Sequence, residues 1–87
     1  MTSIILKLLP YQDEKLIARS QAKRILEEVK SFKSICFDFA GIKEIGPAFA
    51  DELFRVYKNN HSDKKIEFIN SNEYVSKMIL RTMEDKI

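Results

Sequence analysis

Apolar positions along this chain alternate between short runs of strand length and stripes at helical spacing. Ile4, Ile5, Leu6, Leu8 and Leu9 form the first run. Pro10 stops it, because proline gives no donor to a ladder and disfavours helix before it. After a polar break at 10–14, predicted to be a flexible loop, Ala22, Ile25, Leu26, Val29 and Phe32 recur at spacings of three and four. That is the apolar stripe of an amphipathic helix, with Lys23, Arg24, Glu27, Glu28 and Lys30 on its other side. Ser20 is the predicted N-cap, its hydroxyl accepting from a first-turn N–H, with Ala18 and Arg19 just outside. Lys23–Glu27 and Arg24–Glu28 fall at ion-pair spacing along this helix.

The run at 34–39 reads as the best strand, with Ile35, Phe37 and Phe39 on one side and Cys36 and Asp38 on the other. Its nearly continuous apolarity predicts burial on both faces, as in a parallel sheet. Asp38 is predicted to accept from the backbone of the turn at Ala40-Gly41, a common use of short acidic side chains. A second helix follows, with Gly46 at or near its cap and Pro47 in its first turn, where the missing N–H costs nothing. Phe49, Ala50, Leu53, Phe54, Val56 and Tyr57 make its apolar face, and Asp51, Glu52, Arg55 and Lys58 its polar one. Lys65–Ile69 is a third strand. Asn70 and Glu73 then read as a capping box for a last helix that presents Val75, Met78, Ile79 and Met83. Strand and helix alternate three times, which predicts parallel strands joined by right-handed crossovers.

Composition narrows the function. With 87 residues there is room for one domain, predicted to span 1–87, and one modest core. A chain of this size buries about 60–65% of its unfolded surface, so its stability is on the order of 5 kcal/mol. The net charge of +2 comes from basic and acidic residues interleaved along the chain, against a nucleic-acid footprint. Cys36 has no cysteine to pair with and is predicted to be a buried hydrophobe in a reducing compartment. The first apolar run is too short to span a membrane and lacks the flanks of a secretory signal. His61 has no ligand set at metal spacing, two glycines make no phosphate-cradling loop, and no nucleophile–base constellation can be assembled. These readings predict a protein that is not an enzyme and needs no cofactor.

The two blocks that stand out are Cys36-Phe37-Asp38-Phe39-Ala40-Gly41 continuing into Ile45-Gly46-Pro47-Ala48-Phe49-Ala50-Asp51-Glu52, and Ala18-Arg19-Ser20-Gln21-Ala22-Lys23-Arg24-Ile25-Leu26. Together they resemble the STAS-like domains of unknown function found in bacteria, relatives of the STAS domains of anti-sigma-factor antagonists and sulphate transporters. The resemblance covers roughly residues 18–57. It implies a small α/β sandwich with a mostly parallel sheet of three to four strands and three helices. A full STAS domain carries an additional N-terminal strand or two, so the first edge is expected to be trimmed here.

The family also implies a non-catalytic regulator in the bacterial cytoplasm, with a protein partner such as a GHKL-type ATPase or kinase-like regulator. In anti-sigma-factor antagonists a phosphorylated serine lies at the turn before this helix. Aligning Ile45 with the residue before that motif puts Gly46, Pro47 and Ala48 there, with no hydroxyl. The predicted partner-binding residues are Arg19, Ser20, Gly46, Pro47, Ala48, Asp51, Glu52 and Arg55. For Asp51, Glu52 and Arg55 the alternative is a solvated helix face with an Asp51–Arg55 pair. A second function is also open: STAS domains bind nucleotides or other small molecules near this helix end, where backbone N–H groups favour anions. Self-association through an exposed first strand is a further expectation.

Overall fold

The computed structural model describes residues 2–11 and 15–84. β1 (Ser3–Lys7) leads through a 3-10 turn, Leu9–Tyr11, to α1 (Arg19–Glu28) and then β2 (Ser34–Asp38). α2 is one continuous rod made of Pro47–Ala50, a widened π-helical stretch Asp51–Val56, and Tyr57–Asn60. β3 (Lys65–Ile69) and α3 (Glu73–Glu84) complete the order. The three strands are all parallel in the order β1-β2-β3, with Ile5 opposite Cys36 and Cys36 opposite Glu67. This is a small α/β fold of STAS-like architecture, a three-stranded parallel sheet with three helices.

Strands that follow one another across a sheet, each joined by a right-handed crossover, put every crossover helix on the same face. α1 and α2 therefore share one side, and α3 packs against α2 there. Ile35, Phe37 and Ile66 point into that layer and are buried with Ala22, Ile25, Leu26, Phe49, Leu53, Val75 and Ile79. Phe54 is the hinge of the core: its ring lies 5.8 Å from Phe37, 6.3 Å from Phe39 and 5.6 Å from Phe68. The other sheet face stays open. Burial on both faces of β2, expected from its apolarity, is corrected: Cys36 is only half-buried, and Ile5 and Ile69 are exposed.

Gly46 caps α2 with Pro47 in its first turn, as expected, but the other two helix caps differ from expectation. α1 begins at Arg19, so Ser20 lies inside it and Ala18 is the N-cap. Alanine has no side-chain acceptor for the first turn; the Gln21 side chain instead reaches back and accepts from the Ile17 and Ala18 N–H groups at 2.8 Å. Asn72, not Asn70, caps α3 by accepting from Val75 N–H at 2.7 Å. Asn70 instead takes a left-handed φ of 60°, which asparagine tolerates, and turns its amide toward Asp38. On α1, Glu27 pairs with Lys30 rather than Lys23, and Glu28 accepts from the Tyr11 hydroxyl. That bond raises the Tyr11 pKa to about 12. Of the loop predicted at 10–14, residues 10–11 belong to the 3-10 turn and 12–14 lie outside the described residues. The last helix buries Val75 and Ile79 as its stripe predicts.

Replacing Phe54 by Ala removes a ring touching three others in a core of modest size. The expected cost is about 3–5 kcal/mol, close to the whole stability of the domain. Urea unfolding monitored by circular dichroism should find the variant largely unfolded without denaturant, whereas Val56→Ala, at a half-buried position, should lose about 1 kcal/mol.

Candidate functional site

The carboxyl ends of the three strands open at one end of the molecule, where α/β sheets place their crevices. Segments 8–11, 15–18, 39–46 and 70–72 meet there and are tied together by hydrogen bonds. Asp38 is buried at the end of β2, and one of its carboxylate oxygens accepts from Ala40 N–H and from the Asn70 side chain, each at 3.0 Å. These donors hold its carboxyl below the usual carboxylate range, the Asn70 bond contributing most. The backbone acceptance expected of Asp38 is thus present, with Asn70 as a second donor. Asn72 reaches back to the carbonyls of Ile42 and Lys43, and Leu8 N–H donates to the Asp38 carbonyl.

Both glycines of the chain answer to this packing. Gly41 has a φ of 84°, which L side chains rarely adopt, with Leu9 lying over it. At Gly46 the constraint is space: a Cβ there would come within 2.9 Å of the Ile17 Cα. The backbone of 16–17 therefore lies directly on Gly46, and Gly46 N–H donates to the Leu16 carbonyl at 2.9 Å. That amide faces inward, and Gly46 is buried. Pro47, next in line, has no N–H and is exposed.

Beside this contact, the first turn of α1 and the second turn of α2 meet through charge. Arg19 Nη1 lies 2.9 Å from Asp51 Oδ2 and 3.3 Å from Glu52 Oε1. Arg55 grips Asp51 with both arms of its fork, Nε at 2.5 Å and Nη2 at 2.9 Å. The Arg55 bonds, more than those from Arg19, hold the Asp51 carboxyl below its ordinary range. The two carboxylates in turn raise the Arg19 pKa, Asp51 the more. The Asp51–Arg55 pair was legible from spacing. The solvated helix face was not: the Asp51 and Glu52 side chains are only 16% and 11% exposed.

Of the predicted partner-binding residues, Arg19, Pro47, Ala48, Asp51 and Arg55 line one hollow of about 500 Å³, together with Met78, Arg81 and Thr82 of α3. Gly46 and Pro47 line a second hollow of about 580 Å³ with Lys15, Ile17, Lys43 and Tyr74. Pro47 is the ridge between the two. Glu52 faces a third hollow on the far side of α2. Ser20 is exposed and lines none of these three hollows.

A family model described as STAS-like domain of unknown function (DUF4325) matches residues 21–76. The chain belongs to that family. Comparison of the STAS-like domain with curated proteins, and with solved structures, finds no match. The matched region contains the start of α2 and all of β2, α2 and β3, whereas Lys15, Ile17, Arg19, Met78 and Arg81 of the site lie outside it.

Ile17, Tyr74, Met78 and Arg81 were missed as site residues. Ile17 and Tyr74 are 56% and 53% exposed, unusual for their types, but only the fold shows that they flank one ridge. Among the described residues no group of three or more His, Cys, Asp and Glu could hold a metal, and no helix is long and apolar enough to cross a membrane. His61 packs its ring against Tyr57 and shares a hydrogen bond with the Tyr57 carbonyl, a structural position. Burial raises the Cys36 pKa, with Glu67 and Asp38 adding to it, so the thiol stays protonated and a poor nucleophile at neutral pH.

The depressed Asp51 carboxyl makes a signed prediction. A folded-state pKa below the unfolded value contributes stability that is present above the unfolded pKa, near 4, and is lost as pH falls through the folded value. Asp51→Asn should therefore cost about 1 kcal/mol at pH 7 and less at pH 2. Urea titrations of both proteins at the two pH values measure the difference.

Proposed function

We propose that this STAS-like domain is a non-catalytic regulatory module that docks a protein partner on the Pro47 ridge. One observation carries this reading: an exposed proline stands between two adjoining hollows, with Ile17 and Tyr74 exposed on one side. Exposed apolar side chains rimmed by charge are what interaction surfaces offer. Lys15, Lys43, Arg19 and Arg81 are exposed around the same ridge and outnumber Glu44, its one exposed carboxylate among the described residues, while Asp51 is turned inward by its arginines. The partner that fits is acidic, with an apolar residue to set against Ile17 and Tyr74.

A GHKL-type ATPase or kinase-like regulator in the bacterial cytoplasm, as the family suggests, is the first partner to test. With Gly46, Pro47 and Ala48 at the turn, docking would not be gated by phosphorylation there. The nucleotide-binding alternative is weaker physically. A phosphate at a helix start needs free N–H groups, yet the Gly46 N–H is spent on Leu16 and Pro47 has none.

Asp51 and Arg55 support one another within the fold, so reversing their charges would confuse stability with docking. Arg81→Glu and Tyr74→Ala avoid this because both side chains are exposed. Each should weaken capture of a GHKL-type ATPase from the same organism at least ~10-fold, the effect of losing one good interface anchor. Their thermal unfolding should match wild type, and raising salt should weaken wild-type binding. Equal capture by wild type and both variants would refute the ridge as the docking surface.

A further inference from the structure

We propose that β1 pairs with β1 of a second copy, antiparallel about Ile5, to form a dimer with one continuous six-stranded sheet. The inference starts from where the backbone bonds go. The Thr2 carbonyl accepts from Ser34 N–H, and Leu8 N–H donates to the Asp38 carbonyl. Alternate residues of a strand face alternate sides of its ladder. Thr2, Ile4, Leu6 and Leu8 thus bond to β2, leaving the N–H and C=O groups of Ser3, Ile5 and Lys7 directed away from the sheet. β1 is an edge strand, and no other strand of the described residues pairs with that side. Such an edge invites another strand.

The sequence of the edge selects its occupant. In an antiparallel pair centred on Ile5, Ile5 faces its own copy, Ser3 faces Lys7, and Ile4 faces Leu6. The three outward-bonding residues then oppose one another, and all six free backbone groups are used. A slip of one residue would set outward-bonding positions against inward-bonding ones, and a slip of two would leave some groups unpaired. The only charge on the strand, Lys7, meets a serine and not a second lysine.

Side chains on both faces agree. Ile5 is 63% exposed on the open face, where the dimer sets the two copies side by side. Ile4 and Leu6 are only partly covered by the helix layer and would complete their burial against Leu6 and Ile4 of the second copy. The opposite edge is different. β3 carries Lys65 and Glu67 on its exposed face, and Met83 of α3 lies against it. Pairing β3 about Glu67 would place two glutamates directly opposite.

Sedimentation equilibrium on the full chain tests the pairing, with wild type beside Ile5→Lys and Ser3→Glu and circular dichroism on each. Wild type should be a dimer. Ile5→Lys changes an exposed side chain and sets two lysines face to face; it should be monomeric with an unchanged spectrum. Ser3→Glu brings a carboxylate opposite Lys7 twice per dimer and should tighten association roughly 2- to 10-fold at low salt. A wild type that stays monomeric at its highest soluble concentration overturns the proposal, leaving the edge to a strand of another protein. A dimer that survives Ile5→Lys, or that Ser3→Glu fails to tighten, overturns it equally.

Discussion

The contact between the backbone of 16–17 and Gly46 governs the functional end of this domain. No side chain fits between them. Because Gly46 leaves that space, the segment entering α1 can lie on the segment entering α2, joined by the bond from Gly46 N–H to the Leu16 carbonyl. Two helices from distant parts of the chain then start side by side. Arg19, at the first position of α1, comes within reach of Asp51 and Glu52, in the second turn of α2. The ion pairs are modest in energy, being partly exposed. They orient rather than stabilise. What they orient is the Pro47 ridge, held between loops already tied to Asp38 and Asn72.

One-sided packing is the second constraint. A small chain cannot cover both faces of a sheet with three helices, and strands in sequential order put every crossover on one side. The phenylalanines of β2 and β3 gather under α2, where Phe54 meets them. The open face carries Ser3, Ile5, Lys7, Cys36, Glu67 and Ile69, a mixed surface that tolerates water. The domain therefore offers two separate exposed surfaces: the loop end of the sheet and the β1 edge.

The sequence discloses the strands and helices well, because period-two and three-to-four patterns report directly on buried faces. Lys65–Ile69 and the stripe Ala22, Ile25, Leu26, Val29 are found where the pattern places them. The caps were harder, since several polar residues near each helix start could serve and geometry chooses among them. Ala18 took the place of Ser20, with Gln21 reaching back to it, and Asn72 displaced Asn70. The π-helical stretch at Asp51–Val56 left no trace in the pattern: Phe49, Leu53 and Tyr57, four apart, have the ordinary spacing of an α-helical stripe. Burial of Glu52 depends on Arg19, far away in sequence, and no local pattern could reveal it. The two-sided reading of β2 failed for a related reason: Cys36 is apolar enough for a core, but topology leaves its face uncovered.

Native-state hydrogen exchange at the Gly46 amide examines the governing contact without altering the protein. A buried N–H bonded to Leu16 should open only with the larger unfolding of the domain, so its protection should approach that of β2 amides such as Phe37. Exchange at the rate of an exposed loop amide would mean that the two helix starts are not locked together, and the alignment of Arg19 with Asp51 would lose its cause.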